Sequence, residues 1–173
     1  MQAHLLLVAS IFFVCTQSAL AACNFNHGDY KLQWTVSGNT VHFTLTYRKY
    51  PQDLDTWTGI AFGEGMMQGL DAILVKNTKG KVTVTDDAVF GYGPAHSDAS
   101  QDVKVESTKV KNGVLQVKFS RPIKSNDKQA DLPIEGCTTW QFITSLNPYY
   151  GSHTSKHVQT PISQRVCLDK CKA

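Results

Sequence analysis

The sequence has no internal repeat, no low-complexity tract and no sustained 3.6-residue apolar period, which argues against a solenoid, a disordered chain and a helical bundle. It has no basic run beyond the Arg48-Lys49 pair, and seventeen Lys and Arg against fourteen Asp and Glu leave a formal charge of only +3. Nothing in that pattern makes a stripe that could follow a phosphate backbone, so nucleic acid is not an expected partner. GxGxxG, P-loop, nucleophile-elbow, HExxH and EF-hand patterns are all missing, as is any Asn-x-Ser/Thr sequon. Each of those chemistries thereby lacks its local signature, and no enzymatic activity is expected.

What is present suffices for one ordinary core: 173 residues, 42% of them apolar and 10% aromatic. Leu5 to Cys15 form an apolar block too short to span a bilayer, and the block runs into Ala19-Leu20-Ala21. This is the pattern of a cleaved secretory signal over residues 1–21, with one mature domain over 22–173. No later segment is long or apolar enough to span a membrane, so a free extracellular protein is expected. Cys15 leaves with the signal, and Cys23, Cys137, Cys167 and Cys171 remain, an even number that implies two disulfides in an oxidising compartment. Their pairing is open among three possibilities.

Strand patterns recur along the chain. Tyr30, Leu32, Trp34 and Val36 alternate with polar residues, Ser37-Gly38-Asn39 turns, and Val41, Phe43, Leu45 and Tyr47 alternate again, which predicts a hairpin with one buried face. His42 falls on the opposite face. Trp57 to Phe62 and Asp71 to Lys76 are continuous apolar runs expected as central strands, Asn112-Gly113 marks a tight hairpin turn before Leu115, Val117 and Phe119, and Trp140 to Ile143 and Ile162 to Leu168 close the series. The fold class is all-β, an antiparallel sandwich or barrel.

Two loops carry residue types suited to ligands. Gly63 to Asp71 holds Met66 and Met67, and Ser152 to Thr160 holds His153 and His157. A thioether and an imidazole suit haem iron. The i, i+4 spacing of His153 and His157 would also serve zinc, but no Glu follows His153 to make a hydrolase motif. Asp98, Gln101 and Asp102 could offer oxygens to calcium, although hydrogen bonds at a sheet edge are the better expectation. Tyr149 and Tyr150 are the aromatics best placed to stack on a sugar ring, whereas Trp57 and Trp140 read as core.

The succession of Trp57-x-Gly-Ile-Ala-Phe62, Met67-x-Gly-x-Asp71-Ala72, Asp98-x-x-Gln101-Asp102, Phe119-x-Arg121 and Trp140 before a His loop resembles the DOMON family. Its members include the haem-binding domain of cellobiose dehydrogenase and the extracytoplasmic modules of cytochrome b561 fusions. The resemblance covers about residues 28–168. It implies an immunoglobulin-like antiparallel β-sandwich with a ligand pocket at one end, which in some members holds haem b between a Met and a His. By position, Met67 and His157 match those ligands, with Met66 and His153 as fallbacks. The implied roles are electron transfer through an extracellular redox partner, no fused redox domain being expected, or haem carriage. The alternative is a non-redox module that binds a carbohydrate or a protein.

Overall fold

A computed structural model describes residues 23–171. The expected signal segment lies outside the described residues. Among the described residues eleven strands run in chain order as β1 Cys23–His27, β2 Tyr30–Ser37, β3 Thr40–Tyr47, β4 Thr56–Gly65, β5 Gly69–Thr78, β6 Lys81–Val89, β7 His96–Ser97, β8 Lys104–Lys111, β9 Val114–Pro122, β10 Cys137–Pro148 and β11 Ile162–Cys167. They form two antiparallel sheets, β1-β2-β3-β9-β8 and β11-β10-β4-β5-β6-β7, packed as a sandwich. The all-β expectation holds.

The predicted hairpin is β2–β3, paired from Tyr30 opposite Tyr47 to Ser37 opposite Thr40. Its inward set, Leu32, Trp34, Val41, Phe43 and Leu45, is fully or almost fully buried, as period-2 alternation requires of a half-covered sheet. His42 lies on the other face and pairs with Glu106 at 2.9 Å. The tight turn between β8 and β9 has Asn112 at φ 53° and Gly113 at φ 69°, the left-handed pair that Asn-Gly supplies at little steric cost.

Trp140 of β10 packs across the interface against Trp34 at 5.0 Å and, within its own sheet, edge-on against its β4 partner Phe62 at 5.1 Å between ring centroids. The buried Tyr30 hydroxyl donates to the Gly59 carbonyl of the opposite sheet at 3.0 Å. Two disulfides tie the ends: Cys23–Cys171 joins β1 to the closing 3-10 turn, and Cys137–Cys167 joins β10 to β11.

The sandwich interior also holds charge. Arg121 of β9, 2% exposed, donates from Nη1 to Asp71 Oδ2 at 2.6 Å, from Nη2 to the Leu132 carbonyl at 3.2 Å and from Nε to the Pro122 carbonyl at 3.2 Å. That pair accounts for the Asp of Met-x-Gly-x-Asp-Ala and the Arg of Phe-x-Arg. Gln101 holds the edge of β6 as expected, accepting the Asp86 N–H at 3.0 Å and donating to the Asp86 carbonyl at 2.7 Å.

Burial, reinforced by the Asp71 and Asp131 carboxylates, pushes the Asp86 carboxyl up to about 8. The folded chain then keeps a proton where the unfolded chain has lost it, so stability falls as pH rises between about 4 and about 8. Urea titrations in chelating buffer should show the parent losing stability against Asp86→Asn across that window. Parallel pH profiles for the two would contradict the assignment.

Candidate functional site

Strands β4 and β5 do not alternate; they are buried on both faces. A sheet covered on both sides reads this way. Inward go Ile60, Phe62, Ile73 and Val75. Outward go Trp57 and Ala61 of β4 with Leu70, Ala72 and Leu74 of β5, flanked by Val89 and Ile143 in a second apolar cluster. Above that cluster lies a cavity of about 1140 Å³, a little above the roughly 300–1,000 Å³ usual for small-molecule sites. The small side chains of Ala61 and Ala72 and the bare Gly65 leave its floor open.

Three loops make the walls. The first is the 3-10 turn Met66–Gln68 between β4 and β5. Gly63 at φ 123° and Gly69 at φ 88° flank the turn, conformations that a side chain would strain. Met66 packs against the apolar cluster and lines the cavity. Met67, one residue on, is 63% exposed and does not line it. The structure thus separates the two methionines and brings Met66, not Met67, to the wall. The second loop is Tyr92 to Ala95, held to the first by the Gly91 N–H on the Met66 carbonyl at 2.9 Å.

The third is the connection from β10 to β11, which brings His153 and His157 to the same cavity. A β-bulge between Ile143 and Asn147 starts it. The buried Asn147 amide donates to the carbonyls of Trp57 at 3.3 Å and Ser145 at 3.1 Å, while its oxygen accepts the Val158 N–H at 2.7 Å. Asn147 thereby holds the residue next to His157 against β4. Thr154 Oγ1 accepts the Ala95 N–H at 3.2 Å and so links the second and third loops.

His157 is half-buried, and its Nδ1 is buried with no hydrogen-bond partner. Trp57 Nε1 is likewise buried and unpartnered. A site with two such atoms has unspent capacity for a ligand, since buried polar groups are normally paired. His153 is exposed, its ring 5.3 Å from that of Tyr150. Tyr150 stands at the mouth, 62% exposed. Tyr149 is not on the wall: its ring lies 5.9 Å from Lys76 Nζ and its hydroxyl donates to the Gly151 carbonyl. Among the described residues neither histidine belongs to a cluster of three metal-ligating side chains.

Sequence reasoning placed Trp57 in the ordinary core, and it missed the floor. The signal was present, however, in the unbroken apolar run from Trp57 to Phe62, which needs a cover on both faces.

None of the curated protein sequences matches this one at a significant level. The fold is similar to that of the cytochrome b domain of pyranose dehydrogenase from Coprinopsis cinerea, with a TM-score of 0.62 at 11% identity over 87% of this chain and 83% of that one. The cytochrome domain of Myriococcum thermophilum cellobiose dehydrogenase is similar at a TM-score of 0.58 and 10% identity, over 90% of this chain and 93% of that one. At these identities the likeness is one of fold. The family model of the DOMON domain matches residues 26–146, from β1 into β10, and with the motif succession and the two-sheet architecture in place the chain belongs to the DOMON family.

Proposed function

We propose that this protein binds haem b in the cavity on the outer face of the six-stranded sheet, where Met66 and His157 would hold it. The observation that carries the reading is one cavity whose wall holds both a thioether and an imidazole with an unpartnered buried nitrogen. The floor is apolar, as a macrocycle needs, and it offers few hydrogen-bonding groups to a sugar. The similar folds are cytochrome domains. Tyr92 and Tyr150 at the mouth favour the carbohydrate alternative, by stacking.

A haem held by Met and His supplies one-electron chemistry at a raised potential. The chain's own part is to hold it. Asn147 fixes the loop of His157, and the apolar floor, with Trp57 in it, excludes water. The role assigned is carriage of electrons or of haem, not catalysis, with a second protein as the redox partner. The setting assigned is extracellular, supported by the two disulfides.

Haemin added to the purified protein should give a Soret band, with narrow α and β bands on reduction. Met66→Ala and His157→Ala should each lose the narrow bands, and Met67→Ala should keep them. Absence of uptake sinks the reading, and loss of the bands in Met67→Ala with their retention in Met66→Ala would return the ligand to Met67.

A further inference from the structure

On the inner face of the same strands a second group of side chains has no role in that function. Asp71 of β5, Asp86 of β6 and Asp131 of the loop before β10 each present a carboxylate oxygen, and these oxygens lie within 4.8 Å of one another. All three are buried, at 0%, 2% and 7% exposure.

Clustered acids alone do not make a site; the state of their oxygens bears on it separately. Asp71 Oδ2 is taken by Arg121 and by the Leu132 N–H at 2.8 Å, but Asp71 Oδ1 is buried with no partner. Asp131 Oδ2 is in the same condition. A buried carboxylate oxygen left without a donor costs more than almost any other polar defect. Arg121 does not relieve it, because its donors go to Asp71 Oδ2 and to the carbonyls of Leu132 and Pro122. Fully ionised, the three carboxylates against one guanidinium carry a formal charge of −2 in the interior, and with the proton on Asp86 the charge is −1.

We propose that Asp71, Asp86 and Asp131 form a buried calcium site. A divalent cation cancels the residual charge and occupies the orphaned oxygens. Calcium–oxygen bonds of about 2.3–2.6 Å put opposite ligands about 5 Å apart, so oxygens this close can share one ion. The donors are all hard oxygens, which selects against zinc, and the buried setting disfavours magnesium, which keeps several of its waters. The ion joins β5, β6 and the loop of Asp131, and it does so directly beneath Leu70 and Ala72 of the cavity floor.

The test uses the full chain, stripped with chelator and titrated with CaCl2 by calorimetry, in parallel with thermal melts. Calcium should bind once per chain with a Kd at or below about 10⁻³ M, the range of extracellular modules, and should raise the melting temperature. Asp86→Asn and Asp131→Asn keep the shape and remove a charge. Each should weaken calcium binding by at least about tenfold, since affinity follows the number of charged ligands, while melting no lower than the parent in chelator. No saturable uptake by the folded parent overturns the proposal. So does undiminished binding in both variants, or magnesium binding as tight as calcium.

Discussion

Replacing Cys23 and Cys171 together by serine should cost about 5 kcal/mol of unfolding free energy, the larger of the two disulfide effects in this protein. The bridge closes a loop with a sequence separation of 148, against 30 for Cys137–Cys167. In chain-entropy terms the gain grows with the logarithm of loop length, which gives about 3.6 kcal/mol for the shorter loop. The longer bridge also closes the sandwich at an edge. Strand β1 pairs only with β2 and is at most half-buried, so its own contacts contribute little. Trp34 Nε1 donates to Cys171 Sγ at 3.2 Å, which places the bridge against the aromatic core. Denaturant midpoints of the two double-serine variants decide the matter: equal losses, or a greater loss for Cys137 and Cys167, would refute the ranking.

Arg121→Met should destabilise by about 3–5 kcal/mol, because truncating one member of a buried ion pair leaves the other charge uncompensated. Here the remaining charge is compounded, since Asp71 would face Asp86 and Asp131 with no cation held by the chain. Adding Asp71→Leu to Arg121→Met should recover a large part of the loss, as an apolar pair replaces the ionic one. Arg121→Lys should not recover it. A single ammonium cannot reach Asp71, Leu132 and Pro122 together as the planar guanidinium does. A double variant no more stable than Arg121→Met would show that the arginine acts through packing on Phe62, whose ring it covers at 4.9 Å.

The β2–β3 hairpin and the Asn112-Gly113 turn were legible because one buried face and one left-handed dipeptide each leave a local mark. Strand β1 was not, since Cys23–His27 offers a single inward apolar ring, Phe25, stacked on Phe142 at 3.9 Å. Strand β10 is longer than its alternation suggests, because the bulge before Asn147 breaks the period and Ser145 to Pro148 then resemble the start of the connection. Among site residues, His153 and His157 were visible as types and do reach one cavity. Which of Met66 and Met67 turns inward depends on the path of a 3-10 turn between two glycines of positive φ, which residue spacing does not encode. The acidic trio lay further out of reach: Asp71, Asp86 and Asp131 come from three segments, and no local motif unites them.

The cover of the cavity is built differently from its floor. The floor is a hydrogen-bonded sheet, continuous with the sandwich core. The cover rests on a handful of contacts, chiefly the Asn147 side chain on Val158 and Thr154 on Ala95. Loosening them would widen the mouth without breaking the strand pairs of the floor, so a guest would exchange on the schedule of a loop and not on that of global unfolding. The same body can therefore be very durable and still give up what it holds.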